Sequence, residues 1–205
     1  MKTDLILGLG TGRCGTLWLH DFITSQNIPC TSEACKLGWY YNGNIDLTME
    51  PMKTWAKSNI SADVGFPTLP HVNKLSNFFN IKIIILKRNK TDVIKSFMQW
   101  IHIKHNYWVD HPHDCPYIDD GWDYVFPKFK GFEYKSKEEA INAYYDHYYQ
   151  LCDLLEHKYP ILHIKTETLD TKETQENILS FIGINKGSIS NSDNCRKNKS
   201  HLPII

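Results

Sequence analysis

Four glycines, at positions 8, 10, 12 and 15, bracket Arg13 and lead into Thr16, a combination suited to holding an anion. Glycine admits backbone angles and close approaches that a Cβ resists, so such a turn can direct several N–H groups at one point. Arg13 adds a fixed fork of donors matched to phosphate or sulfate oxygens. Downstream, Arg88 is followed two helical turns later by Ser96, which lets a cation and a hydroxyl share one ligand at a strand end. The same residues also admit plainer roles: a sharp structural turn for the glycines, a pairing of Arg88 with Asp92, and a solvated hydroxyl at Ser96.

Two well-known phosphate motifs do not fit the glycine stretch. A dinucleotide site needs an acidic residue at the end of a second strand about 20 residues on; Glu33 comes closest and lies in an irregular, cysteine-flanked segment. A nucleotide triphosphatase loop ends in Gly-Lys-Ser/Thr, whereas here Arg13 precedes Gly15-Thr16.

The elements that must position these residues follow from periodicity. Leu5 to Leu9 has the length of a core strand, and Leu19, Phe22 and Ile23 recur at helical spacing after the glycines. Ile28 to Glu33 reads as a short strand and its exit, and 47–57 as a short helix after an aromatic-rich loop. Ser61 to Phe66 reads as another strand, and Thr68, Leu69 and Pro70 open a helix with Val72, Leu75 and Phe79 on its inward face. Ile81 to Leu86 is branched and almost wholly apolar, as a central parallel strand should be. Asn89 then caps a helix with Asp92 in its first turn and Val93, Phe97 and Trp100 along one stripe. Glu138 to His157 is the best long helix, with Ala140, Tyr144, Tyr148, Leu151 and Leu155 in line. Asp170 and Glu173 resemble a capping box before a last helix that Gly183 stops. Strands alternating with helices predict one α/β domain whose Leu9 and Leu86 strands are parallel neighbours, with Arg13 and Arg88 at the same sheet end.

Composition narrows the partners. Lys plus Arg and Asp plus Glu each number 23 in 205 residues, so a nonspecific nucleic-acid binder is not favoured. No apolar run is long enough for a membrane span, and the polar start lacks a signal sequence. The cysteines at 14, 30, 35, 115, 152 and 195 are scattered, which points to reduced thiols and a cytoplasmic protein. His111-Pro112-His113-Asp114-Cys115 is too crowded for a zinc set, so no metal is expected.

Gly12-Arg13-Cys14-Gly15-Thr16, followed by Arg88 and Ser96, resembles the two cofactor motifs of sulfotransferases, enzymes that use 3'-phosphoadenosine 5'-phosphosulfate. The resemblance implies that Gly12, Arg13, Cys14, Gly15 and Thr16 wrap the 5'-phosphosulfate, with Leu17 where the family has a second hydroxyl. It implies that Arg88 and Ser96 hold the 3'-phosphate. Tyr159 to Ile164 is similar to the family's later strand, Glu167 to Leu169 to its acidic exit, and Ile178 to Ile184 to its penultimate helix. Arg196 and Lys197 stand where the family folds a basic loop over the 3'-phosphate, although Asn198 replaces the usual glycine. The expected architecture is a single three-layer α/β domain over 1–205, with a parallel sheet, a P-loop-like turn and a variable acceptor-side insertion or lid at 104–136. The implied reaction moves a sulfuryl group to a hydroxyl on a small molecule, sugar or lipid and leaves adenosine 3',5'-bisphosphate.

Such transfer needs charge stabilisation, which Arg13 can supply, and a base for the acceptor hydroxyl, which a guanidinium cannot be. Asp63 and Glu33 are the candidate bases, with His102 and His105 behind them. Two rivals use the same anion turn. A nucleotide-dependent phosphotransferase would add magnesium held by Thr16 and an acidic strand end, and a noncatalytic nucleotide-binding module would lack an acceptor-facing base.

Overall fold

The computed structural model describes residues 2–33, 60–100 and 136–184. Their strands are β1 (Thr3–Leu9), β2 (Cys30–Ser32), β3 (Ile60–Val64), β4 (Phe79–Lys87) and β5 (Ile161–Lys165). The helices are α1 (Thr16–Ser25), α2 (Val72–Leu75), α3 (Lys90–Trp100), α4 (Lys137–Asp153) and α5 (Lys172–Ile182), with short 3-10 segments at Phe66–His71 and Thr166–Thr168. All the strands are parallel, in the order β2-β3-β1-β4-β5. β1 lies between β3 and β4, with Leu9 opposite Ile85, so the turns after β1 and β4 open at the same sheet end as expected.

Alternation along the central strands builds both hydrophobic layers. Leu5, Leu7, Leu9, Ile81, Ile83 and Ile85 face a layer that includes Phe97 of α3 and Tyr144 and Tyr148 of α4. Ile6, Ile84, Leu86, Ala62 and Val64 face the opposite layer, with Leu19 and Phe22 of α1 and Ile178 and Leu179 of α5. Successive side chains of a strand point to opposite faces, so a strand apolar at every position belongs in the middle of such a three-layer α/β arrangement. Full burial of each such Leu or Ile contributes about 1.5–3 kcal/mol.

Several boundaries differ from the sequence reading. Phe79 begins β4, opposite Thr3, instead of closing a helix. The two prolines, 67 and 70, lack the N–H an α-helix needs, and the chain forms a 3-10 segment followed by the short α2. The strand read as running to Phe66 ends at Val64. The long helix ends at Asp153, short of His157, and Leu155 N–H donates to the Cys152 carbonyl in a tightened final turn. Thr171, not Asp170, caps α5 by accepting from the Thr174 N–H, because Asp170 is engaged by the Trp18 indole N–H at 3.0 Å. Gly183, at φ 89°, ends α5 as expected. The helix read at 47–57 and the insertion at 104–136 lie outside the described residues, apart from Ser136, which caps α4 through Glu139 N–H at 3.2 Å.

Candidate functional site

The turn after β1 is held by other elements through its carbonyls. Tyr144 Oη of α4 donates to the Thr11 carbonyl at 2.9 Å, Arg88 Nη1 to the Arg13 carbonyl at 3.0 Å, and Thr166 Oγ1 to the Cys14 carbonyl at 2.6 Å. Gly12, Arg13 and Gly15 all take left-handed backbone angles, at φ 78°, 55° and 91°. Such angles are easy for the two glycines and costly for Arg13, so the anchors help fix a conformation that the arginine alone would resist.

Cys14 lies in the core and not in a ligand cleft. Its side chain is fully buried, and a Cβ placed on Gly10 would run into its sulfur. Burial pushes the thiol up to about 12, offset in part by hydrogen bonding from the Gly12 and Cys14 backbone and from Thr11. The N–H groups that open α1, from Thr16 onward, have no intrahelical acceptor by the geometry of any helix start. The Gly15 N–H shares its peptide with the Cys14 carbonyl and points away from Thr166.

Arg13, Arg88 and Ser96 come together although they are far apart in the chain. Arg13 Nε donates to Ser96 Oγ at 2.9 Å, while Arg88 reaches the Arg13 backbone. Burial, and then the nearby Arg88 charge, lower the proton affinity of Arg13. The Arg88 carbonyl accepts from Tyr145 Oη at 2.7 Å, and Asn89 Oδ1 caps α3 by accepting from Thr91 N–H at 2.9 Å. Lys90 Nζ pairs with Asp146 at 2.7 Å, a second tie between the start of α3 and α4.

Asp63 and Glu33 meet on the other side of β1. Asp63 is fully buried on β3, where Thr31 Oγ1 of β2 donates to Oδ1 at 2.9 Å and Thr68 Oγ1 to Oδ2 at 2.6 Å. Glu33 follows β2 at φ 52°, with its N–H on the Val64 carbonyl at 3.2 Å. Its side chain crosses Gly65, where any Cβ would collide with Glu33 Cγ. Gly65 N–H donates in turn to the Gly8 carbonyl at 2.8 Å, which joins this corner to the end of β1. Glu33 is partly exposed, and burial followed by the Asp63 charge raises its carboxyl to about 8.

Of the sequence candidates, the structure brings Arg13, Arg88 and Ser96 into one cluster and Glu33 and Asp63 into another. Thr16 opens α1. Arg196, Lys197, His102 and His105 lie outside the described residues. The anchors Tyr144, Tyr145, Tyr149 and Thr166 were not singled out as site residues. Tyr149 Oη donates to the Leu86 carbonyl at 2.6 Å, and the paired tyrosines at 144–145 and 148–149, one helical turn apart, were a signal of more than core packing.

The fold is shared with the YorR protein of Bacillus subtilis, solved in complex with phosphorylated GDP. That alignment has a TM-score of 0.53 at 11% identity, over 87% of this chain and 95% of that one. A proposed kinase from Chloroflexus aurantiacus aligns with a TM-score of 0.49 at 14% identity, over 88% of this chain and 99% of that one. Mouse sulfotransferase SULT7A1, complexed with PAP, aligns with a TM-score of 0.49 at 16% identity, over 93% of this chain and 61% of that one. No protein-family model and no curated protein sequence matches the chain. At 11% identity the likeness to YorR speaks to the fold alone: an α/β domain with a parallel sheet and a P-loop-like turn after its central strand.

Proposed function

We propose that this chain is a sulfotransferase that moves a sulfuryl group from 3'-phosphoadenosine 5'-phosphosulfate to a hydroxyl on a small molecule, sugar or lipid. The observation that carries this reading is the meeting of Arg13 with Ser96 across 83 residues and with Arg88 across 75. Two guanidinium groups brought together repel, and an anion with several charged oxygens relieves that repulsion through charge-assisted hydrogen bonds. A donor bearing two separate phosphate groups suits two such cations better than a single phosphate does.

In this reading the start of α1 and Arg13 hold the 5'-phosphosulfate, using helix-terminal N–H groups and a fixed positive charge. Arg88 and Ser96 hold the 3'-phosphate, with Arg196 and Lys197 closing from the tail. The segment 104–136 forms the acceptor wall. Glu33 takes the acceptor's proton while the acceptor oxygen attacks sulfur in line with the bridging oxygen, and Arg13 meets the negative charge that builds there. The donor supplies an activated sulfuryl group and leaves as adenosine 3',5'-bisphosphate.

A phosphotransferase is the second reading, and it has one observation in its favour. Asp63 stands on the strand beside β1, with Thr16 opening α1, which is the acidic-plus-hydroxyl pattern for magnesium. Against it, both Asp63 oxygens are taken by threonine hydroxyls inside the protein. The YorR structure's phosphorylated GDP makes guanine nucleotides worth including in the test. Labelled 3'-phosphoadenosine 5'-phosphosulfate is supplied with a panel of hydroxylated small molecules, sugars and lipids, beside labelled ATP and GTP with magnesium. Label transferred from the sulfate donor without magnesium supports the proposal, and magnesium-dependent transfer from a triphosphate alone overturns it. Tight nucleotide binding with no transfer from any donor would leave the noncatalytic module in its place.

Binding offers a sharper comparison. Arg88→Ala should weaken adenosine 3',5'-bisphosphate by roughly 10- to 100-fold, the worth of a hydrogen bond to a charged group, while adenosine 5'-monophosphate loses much less. Arg88 also anchors the Arg13 carbonyl, so the ratio of the two losses is the quantity to read by calorimetry. Equal losses would assign Arg88 to loop support alone.

A further inference from the structure

We propose that Asp63 is a positioning residue, a buried negative charge fastened by Thr31 and Thr68 beside Glu33 that keeps the exchangeable proton of the carboxylate pair on Glu33. The proposal rests on the transferase reading for its catalytic meaning, but the arrangement stands on geometry. Asp63 is sealed from solvent, and each of its oxygens accepts a hydroxyl from a different element. Hydrogen bonds of that kind favour the ionised carboxylate. Glu33 is the more open of the two, and its backbone is tied to Val64, the residue after Asp63. Its side chain lies across Gly65, whose own N–H is bonded to the Gly8 carbonyl of β1.

Thr31 pairs with Asp63 and Ser32 with Val64, so Glu33 follows on directly beside the end of β3, and carboxylates that interact there do not ionise independently. Burial opposes a charge on Asp63, and the two threonine hydroxyls offset that cost, which in this proposal leaves the proton with Glu33. The charges on this corner come from several elements. Asp63 of β3 acts directly on Glu33, and the Tyr144 phenol of α4 feels Glu33. The Cys30 thiol of β2 feels Asp63 and, from α1, Asp21. A neighbouring negative charge strengthens Glu33 as a base, so once ionised it takes a hydroxyl proton more readily than an ordinary glutamate. The step balances simply: the proton passes from the acceptor oxygen to a Glu33 oxygen as the acceptor oxygen bonds to sulfur and the sulfur–bridging-oxygen bond breaks, its electron pair leaving with the nucleotide.

The test needs no acceptor. Protein labelled with carbon-13 at the glutamate carboxyls is titrated by NMR, the Glu33 resonance being the one lost in Glu33→Gln. The wild-type midpoint should lie near pH 8. Asp63→Asn should lower it by a pH unit or more, a tenfold or greater change in proton affinity. Thr68→Ala keeps the Asp63 charge but removes one of its hydroxyl donors, so it should also lower the Glu33 midpoint as Asp63 takes a share of the proton. If Asp63→Asn fails to fold, Thr68→Ala carries the decision. A wild-type midpoint in the ordinary glutamate range, or a midpoint that the substitutions leave unmoved, overturns the proposal. The transfer assay judges the sulfotransferase reading separately, since this titration reads the same whether or not any acceptor reacts.

Discussion

Cys14 shows how little the type of a residue says about its task. It stands inside the stretch that resembles a cofactor motif, yet its thiol is packed with Ile6, Leu19 and Leu86. A thiol raised to about 12 holds almost no thiolate at neutral pH, and only the thiolate is a nucleophile. Cys152 is buried as well, and Cys30, partly exposed, is raised to about 12 by burial and by Asp63. Iodoacetamide at pH 7.5 should therefore leave Cys14, Cys30 and Cys152 unmodified in the folded protein and label all three after denaturation, as peptide mass spectrometry would read. Native labelling of Cys14 would mean that the turn opens around its sulfur. Among the described residues, Cys14, Cys30 and Cys152 are free thiols.

At the scale of elements, α4 links the sheet to the site. Tyr144, Tyr145 and Tyr149 donate to carbonyls of the β1 turn, of Arg88 and of Leu86, so one helix holds both halves of the proposed anion site. Tyr148 provides a contrast, because its buried hydroxyl has no partner among the described residues. Tyr144→Phe should cost about 1–3 kcal/mol, since it strands a buried carbonyl, and should weaken anion binding. Tyr148→Phe should be neutral or stabilising, as it removes a hydroxyl that burial penalises. Urea unfolding of the two variants checks the difference, and equal costs would show that ring packing outweighs the hydroxyls. The central strands were legible because β1 and β4 are buried on both faces and so are apolar at nearly every position. That Arg88 and Ser96 lie beside the β1 turn was legible because a strand end and a helix face have fixed geometry. The tyrosine anchors were not, since periodicity shows which face of a helix is buried and not what its hydroxyls reach. Thr171 was missed as a cap because the competing use of Asp170, on Trp18, is a contact across 152 residues.

For the whole molecule, the raised carboxyl of Glu33 makes stability depend on pH in a direction opposite to that of most acidic groups. Its affinity rises from 4.5 in the reference state to about 8 when folded. Between those values the unfolded chain has released the proton while the folded protein keeps it, so the stability that Glu33 contributes is fully present below about pH 4.5 and is lost as pH rises toward 8. The histidines work the other way. Burial, then Lys74, lowers His71, and burial lowers His147, so each costs stability as pH falls through the unfolded histidine range near 6.5. The two effects oppose each other below that range, and above it the Glu33 slope stands without the histidines. Glu33→Gln, which carries no titrating proton, should therefore gain stability relative to wild type between pH 6.5 and 8, at a rate on the order of 1 kcal/mol per pH unit at most. Urea denaturation at pH 6.5, 7.25 and 8 reads the difference, provided the slope against urea is the same in both proteins. A constant difference across that window would mean that Glu33 ionises at an ordinary pH in the folded protein, with water reaching its carboxylate past Gly65. The base would then have to be sought among His102 and His105 instead, because a glutamate of ordinary strength beside the turn would have no advantage over any solvent-exposed carboxylate.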